Sequence, residues 1–178
     1  MRARTDKVKP APRLISVRLI PVRLIRARPR ATVPVTDEGC QAMQAGGPEM
    51  TDPGEPPSGL QTHLGYRLTA WEADFARVEL PLGPHLMNRQ GLPHGGLHAT
   101  LLDTAMGFAG CYTGDPDARQ MALTLSLTVN FIGQATGTRL IAEARRTGGG
   151  RSTYFAEATV TDDTGARIAT GSGVFRYR

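Results

Sequence analysis

The stretch NRQGLPHGGLHATLLDTAMGFAG, residues 88–110, decides how this chain is read. Leu97, Leu101, Ala105, Phe108 and Tyr112 recur at intervals of three and four, one apolar stripe for packing against a sheet. The spacing predicts a helix from about His94 to Tyr112. Yet this helix opens on Gly95 and Gly96, and glycine is the poorest helix former after proline. Asp103 is its single charge between His94 and Gly114. Gly96, Thr100, Asp103, Gly107 and Gly110 lie off the stripe and are nearly all small. A solvent-facing side would carry Lys and Glu, and each interior glycine costs about 1 kcal/mol relative to alanine. A small face of this kind suits close approach by a ligand or a second subunit.

Strands are expected on both sides of the helix. In LGYRLTAWEADFARVELPL (64–82), Ala73, Phe75, Val78 and Leu80 give the second part strand character. Four β-like runs follow the helix, at 121–132, 138–146, 152–162 and 166–177, with turn residues between them. In the first run Leu123, Leu125, Leu127, Val129 and Phe131 take every second position, the pattern of a strand with one buried face. Asp162-Asp163-Thr164-Gly165 reads as a hairpin turn. The order strand, strand, long helix, four antiparallel strands gives an α+β fold with one helix against one sheet.

A chain of 178 residues has room for one domain with a single core. The formal net charge of +5 belongs to a tail: residues 1–30 hold ten of the 21 Lys and Arg and one acid, Asp6. Residues 31–178 carry 11 basic and 15 acidic residues, a net of −4. No aromatic residue interleaves the tail's arginines, which argues against nucleic-acid binding. Arg-Leu-Ile repeats at 13, 18 and 23, a period of five that fits neither a helix nor a strand. Three readings of the tail stand open: a disordered basic tail, an organelle-type presequence, or upstream sequence preceding a true start at Met43 or Met50. Residues 34–59 are rich in Pro and Gly without apolar periodicity, the composition of a linker. The expected division is therefore a tail over 1–59 and a folded domain over 60–178. Cys40 and Cys111 fall short of a disulfide framework and suit a reducing compartment. No apolar run approaches the roughly 18 residues of a transmembrane helix, and the Arg-studded start lacks a secretory h-region. A soluble, cytoplasmic protein without membrane contact is expected.

The start of the helix is chemically useful. Its free N–H groups and positive dipole end favour a polarised carbonyl oxygen. Gly95 has no side chain to hold a substrate off its backbone N–H, and one oxyanion donor contributes about 3–4 kcal/mol to a transition state. Asp103 has the chemistry of a base or a nucleophile. The two lie eight residues apart, about 12 Å along the axis, so both cannot reach one reacting carbonyl from the same chain. If they cooperate, they come from different subunits with antiparallel helices, and the site sits on a dimer interface.

Asn88-x-x-Gly91-x-x-His94-Gly95-Gly96 followed by Leu102-Asp103 resembles the signature of the hotdog-fold acyl-CoA thioesterases, in the PaaI-like branch of the 4-hydroxybenzoyl-CoA thioesterase superfamily. The resemblance covers about residues 60–178, and LTVNFIGQATG, RRTGGGRST and TGARIATGSGVFR are similar to the family's later strands. It implies a hotdog fold, an antiparallel β-sheet wrapped around one long central helix. It also implies that the Gly95 N–H polarises the thioester carbonyl and that Asp103 of the partner subunit activates water or attacks directly. Asn88 then helps to place the water or thioester, and His94 supports the loop. Thr124 matches a Ser/Thr that hydrogen-bonds near the acid in some members. Gly96, with the turn at Gly150, Arg151 and Ser152, falls to substrate binding, the turn meeting the phosphates or pantetheine of CoA; a plain hairpin turn with a surface Arg is the competing reading. TGGG at 147–150 is looser than the family's usual turn. The partners implied are an acyl-CoA and a second copy of the chain, as a homodimer or a tetramer of two dimers. No cofactor is implied.

His94 and His98 have the spacing of a zinc-binding helix, but the glutamate that should follow the first is Gly95, so no metal is expected and His98 reads as a partly buried polar residue. GGGRST is no phosphate loop, because Arg145 stands where its first glycine belongs; Gly171-Ser172-Gly173 lies inside a strand and opens no helix. A dehydratase would place its His and acid in a different sequence setting. A non-catalytic acyl-CoA-binding module is the alternative to an enzyme. Asp103 argues for catalysis, since a pure binder has no need of a carboxylate in an apolar helix. Trp71, Phe75, Met87, Met106 and Phe108 are candidates to shape a pocket for an aryl or medium-chain acyl group.

Overall fold

Ser58 starts the first element by capping it. Its hydroxyl accepts from the Gln61 N–H at 3.2 Å and its own N–H donates to Gln61 Oε1 at 2.9 Å, a reciprocal capping box. The resulting helix, α1 (Gly59–Leu64), stops at Gly65, whose φ of 81° is left-handed. It was not expected from the composition of the linker. The structure, a computed structural model, describes residues 57–115 and 117–178. The tail and nearly all of the Pro/Gly-rich stretch lie outside the described residues.

The stretch 64–82 forms a hairpin of two strands, β1 (Arg67–Glu72) and β2 (Phe75–Pro81), turning at Asp74 with φ 59°. After the long helix α2 (Gly95–Ala109) come β3 (Ala122–Phe131), β4 (Arg139–Gly149), β5 (Thr153–Asp162) and β6 (Arg167–Tyr177). All six strands form one antiparallel sheet in the order β1-β2-β4-β5-β6-β3. The core lies between this sheet and α2. Val78, Leu80, Leu140 and Val160 on the sheet and Leu101, Leu102 and Met106 on the helix are all fully buried. Truncating one such side chain to alanine costs about 2–5 kcal/mol. Gly171 of β6 lets the helix approach closely, since a Cβ there would meet the Leu102 side chain at 3.1 Å.

Two expectations are corrected. First, α2 ends at Ala109 rather than near Tyr112. The Tyr154 hydroxyl donates to the Gly107 carbonyl at 2.9 Å and the Trp71 indole to the Phe108 carbonyl at 2.8 Å, so the last carbonyls are taken by the sheet. Tyr112 therefore lies exposed beyond the helix, while Phe108 stays on the sheet side, half-buried against the core and edge-on to Trp71 of β1. The buried side is Leu97, His98, Leu101, Leu102, Ala105, Met106 and Ala109.

Second, β3 is not a strand with one buried row. A bulge between Thr124 and Ser126 interrupts its register with β6, and a one-residue shift changes which face a side chain takes. Thr124 faces the helix before the bulge, and Leu127 and Val129 pack on the core after it. Leu123 and Leu125 stay more than half exposed, on the outermost strand of the sheet.

Candidate active site

The loop before α2 is built by Asn88. Its Oδ1 accepts from the N–H groups of Gln90 (2.8 Å) and Leu92 (3.2 Å), and its own N–H donates to the Leu92 carbonyl at 2.7 Å. Gly91 completes the turn with φ 72°. The loop delivers His94 to the N-cap position, where the His94 N–H is held by the Leu86 carbonyl at 3.0 Å. The imidazole then caps its own helix: Nδ1 accepts from the Gly96 N–H at 3.0 Å. This occupies the donor of Gly96. The Gly95 N–H, one residue earlier, has no hydrogen-bond partner among the described residues. One donor is thus left open at the positive end of a fifteen-residue helix.

Asp103 lies two turns further on, half-buried, with the Thr124 hydroxyl donating to its Oδ1 at 2.7 Å. The bulge in β3 makes this contact available, because it leaves Thr124 on the helix side. Within one chain Asp103 and Gly95 do not meet. The strand that crosses them says the same: Thr124, at the start of β3, is beside Asp103, while Phe131, at its end, is beside Gly95.

Gly150, Arg151 and Ser152 form the exposed β4–β5 turn, closed by the Gly150 N–H on the Thr153 carbonyl at 2.7 Å. Ser152 is joined to Tyr177, and the neighbouring Tyr154 reaches the carbonyls of Met106 and Gly107. The turn therefore sits at the C-terminal end of α2, away from the Gly95 of its own chain. Phe75, a candidate pocket residue, is on the face of the sheet turned from the helix, under the Arg145 guanidinium at 4.7 Å. Met106 is sealed in the core. Neither lines a helix-side pocket.

Two residues near Gly95 were not assigned from sequence. A Cβ at Gly95 would touch the Phe131 ring at 3.4 Å, and the same ring meets His98 edge-on at 5.9 Å. His98 is only 5% exposed, buried rather than partly so. Burial pushes its imidazole below the ordinary value, against the opposite pull of the His94 and Gly95 carbonyls. The β3 alternation placed Phe131 in a strand, but nothing local ties it to residue 95.

One antiparallel six-stranded sheet packed on one long helix is the arrangement of the hotdog fold. A model of the thioesterase superfamily matches residues 90–169. A Bacillus halodurans protein solved with CoA is 31% identical, with a TM-score of 0.57 over 69% of this chain and 78% of its own. A conserved protein from Pseudomonas aeruginosa is 29% identical, with a TM-score of 0.63 over 68% of this chain and 95% of its own. A thioesterase family protein from Silicibacter pomeroyi is 25% identical, with a TM-score of 0.60 over 67% and 89%. No curated protein matches the sequence. The chain belongs to the thioesterase superfamily.

Proposed function

We propose that the protein is an acyl-CoA thioesterase of the PaaI-like branch, working as a homodimer that joins Gly95 of one chain to Asp103 of the other. The observation that carries this reading is the open Gly95 N–H at the start of a helix that also bears a carboxylate held by Thr124. The thioester carbonyl oxygen takes the Gly95 N–H. A water molecule attacks the carbonyl carbon from the opposite side and gives its proton to Asp103 of the partner subunit. The tetrahedral oxyanion is held by Gly95, and its collapse expels CoA thiolate, which recovers that proton. Asn88 and His94 position the donor through the loop, and Asn88 Nδ2 is left to meet the water or thioester.

The edge strand supports the dimer. Leu123, Leu125 and Phe131 on β3, and Met121 and Ile132 just beyond its two ends, are each more than half exposed, and a long apolar edge invites pairing with another strand. Antiparallel pairing of two β3 strands brings the Thr124 end of one beside the Phe131 end of the other. The acid of one chain then approaches the donor of the next, with the Gly150–Ser152 turn alongside. Arg151 is suited there to the diphosphate of CoA, and the Bacillus halodurans relative was solved with CoA. The acyl group is an aryl or medium-chain one.

Thiol release from phenylacetyl-, benzoyl-, hexanoyl- and palmitoyl-CoA, by wild type and by Asp103→Asn, tests the reading. Hydrolysis of one class that falls by about 10³-fold or more in the variant is expected, since the base is gone while the shape stays. Wild type that binds these esters and is as inert as the variant leaves an acyl-CoA-binding module in place of the enzyme.

A further inference from the structure

His98 is a buried group that the reaction above does not use. Neither ring nitrogen has a hydrogen-bond partner among the described residues, and an unpaired polar group at this depth is costly unless a ligand completes it. Its direction follows from helix geometry. Residue 98 lies about 4.5 Å along the axis from residue 95, and side chains lean back toward the helix N-terminus. The ring thus comes level with the oxyanion donor, close to the carbonyls of His94 and Gly95. The Phe131 ring borders both residues, lying edge-on to His98 at 5.9 Å and 3.4 Å from where a Cβ on Gly95 would stand.

We infer that His98 is a specificity-determining residue: it accepts a hydrogen bond from a hydroxyl near the thioester, so the substrate class is 3-hydroxyacyl-CoA. This rests on the thioesterase reading for the placement of the carbonyl at Gly95. The buried imidazole is neutral, so it has one N–H and one lone pair. Neither nitrogen is engaged within the described residues, so the lone pair is open to a donor on the ligand. A carbonyl oxygen on the Gly95 N–H puts the first few acyl carbons along Phe131, within reach of that lone pair. A hydroxyl on the far side of an aryl ring lies beyond it.

The test compares 3-hydroxyhexanoyl-CoA with hexanoyl-CoA, and para-hydroxyphenylacetyl-CoA with phenylacetyl-CoA, in wild type, His98→Leu and His98→Gln. The wild type favours the 3-hydroxy ester by about 10- to 100-fold in kcat/KM, the discrimination a buried polar partner provides. His98→Leu loses this preference, His98→Gln keeps part of it, and the para-hydroxyl shows no effect that depends on residue 98. Thermal unfolding of His98→Leu at or above the wild-type midpoint shows that the variant folds. Binding of the corresponding non-hydrolysable thioethers separates the two readings. A hydroxyl preference in binding without any hydrolysis overturns the enzyme but keeps the inference. Equal binding of the hydroxy and deoxy thioethers, or the same preference in His98→Leu, overturns the inference. So does an equal weakening of free CoA, which would place the donor on the pantetheine arm.

Discussion

Asp162 ties together two connections that frame the site. It is 1% exposed. Its Oδ2 accepts from the N–H groups of Thr136 at 2.8 Å and Gly137 at 2.9 Å, in the link from β3 to β4. Its Oδ1 accepts from the N–H groups of Thr164 and Ala166, at 3.1 and 3.0 Å, and from the Thr164 hydroxyl at 2.6 Å. Burial alone would push the carboxyl up. The Thr164 hydroxyl and the N–H groups of Thr136, Gly137 and Ala166 outweigh it and hold the group well below the ordinary carboxylate range. Asp162→Asn converts one oxygen into an amide NH2, and whichever way the amide turns, two backbone N–H groups then face a donor. Each buried donor left unpaired costs about 1–3 kcal/mol, so the expected loss is about 4 kcal/mol. At about 4 °C per kcal/mol, the unfolding midpoint falls by about 15 °C. The folded pKa is depressed, so the stabilisation is complete above the unfolded value of about 3.9 and is lost as pH falls from there toward the folded value. Urea unfolding from pH 7 to pH 3 shows both effects: a lower midpoint for the variant at pH 7 and a flatter acid limb, with Asp163, also held below the ordinary carboxylate value by the Thr138 hydroxyl, still adding slope in the same direction. A loss below about 1 kcal/mol, or an acid limb as steep as that of the wild type, refutes the reasoning.

Other perturbations probe the helix end, the acid and the edge. Gly110→Ala drives a Cβ into the Tyr154 ring, and overpacking of this kind costs about 1–3 kcal/mol; pairing it with Tyr154→Leu recovers part of the loss in urea unfolding. Thr124→Val removes the 2.7 Å hydrogen bond to Asp103 from an exposed position. It lowers kcat by about 10-fold with the unfolding midpoint unchanged, as loss of one charge-assisted bond requires. Leu125→Lys places a charge on the apolar edge; sedimentation then shows a monomer, and hydrolysis falls with the dimer fraction. Single turnover in ¹⁸O-labelled water is expected to leave the Asp103 carboxylate unlabelled; ¹⁸O in that carboxylate would instead show a mixed anhydride opened by water at the aspartyl carbonyl.

The fold is legible in the sequence wherever one residue's period determines its neighbours' faces. The runs at 138–146, 152–162 and 166–177 appear as strands within a few residues of those positions, and His94-Gly95-Gly96 marks the helix start. What local pattern misses is set by distant partners. The end of α2 depends on Tyr154 and Trp71, whose links to it span 47 and 37 residues. The five apolar residues of β3 alternate without a flaw, so nothing in them announces the bulge. For the site, Gly95 and Asp103 stand out because each is a poor choice for a packed helix. Phe131 and His98 do not, because an aromatic in a strand and a histidine in a helix look ordinary until the fold sets them beside Gly95.

The bulge also connects the packing to the proposed chemistry. A regular β3 with Leu127 and Val129 inward would carry Leu123 and Leu125 inward as well, and Thr124 would point away from Asp103. One extra residue restores Thr124 to the helix side and leaves Leu123 and Leu125 outside the core on an unpaired edge. In a lone chain that is a poor bargain, since it exposes apolar surface to orient one hydroxyl. In the proposed dimer the same edge is covered by the second β3, and the hydroxyl orients the acid that serves the other chain's Gly95. On the proposed dimer, an unpaired apolar edge, a carboxylate out of reach of its own oxyanion donor, and a strand that breaks its own alternation would have one explanation: each copy completes the other's half of the site.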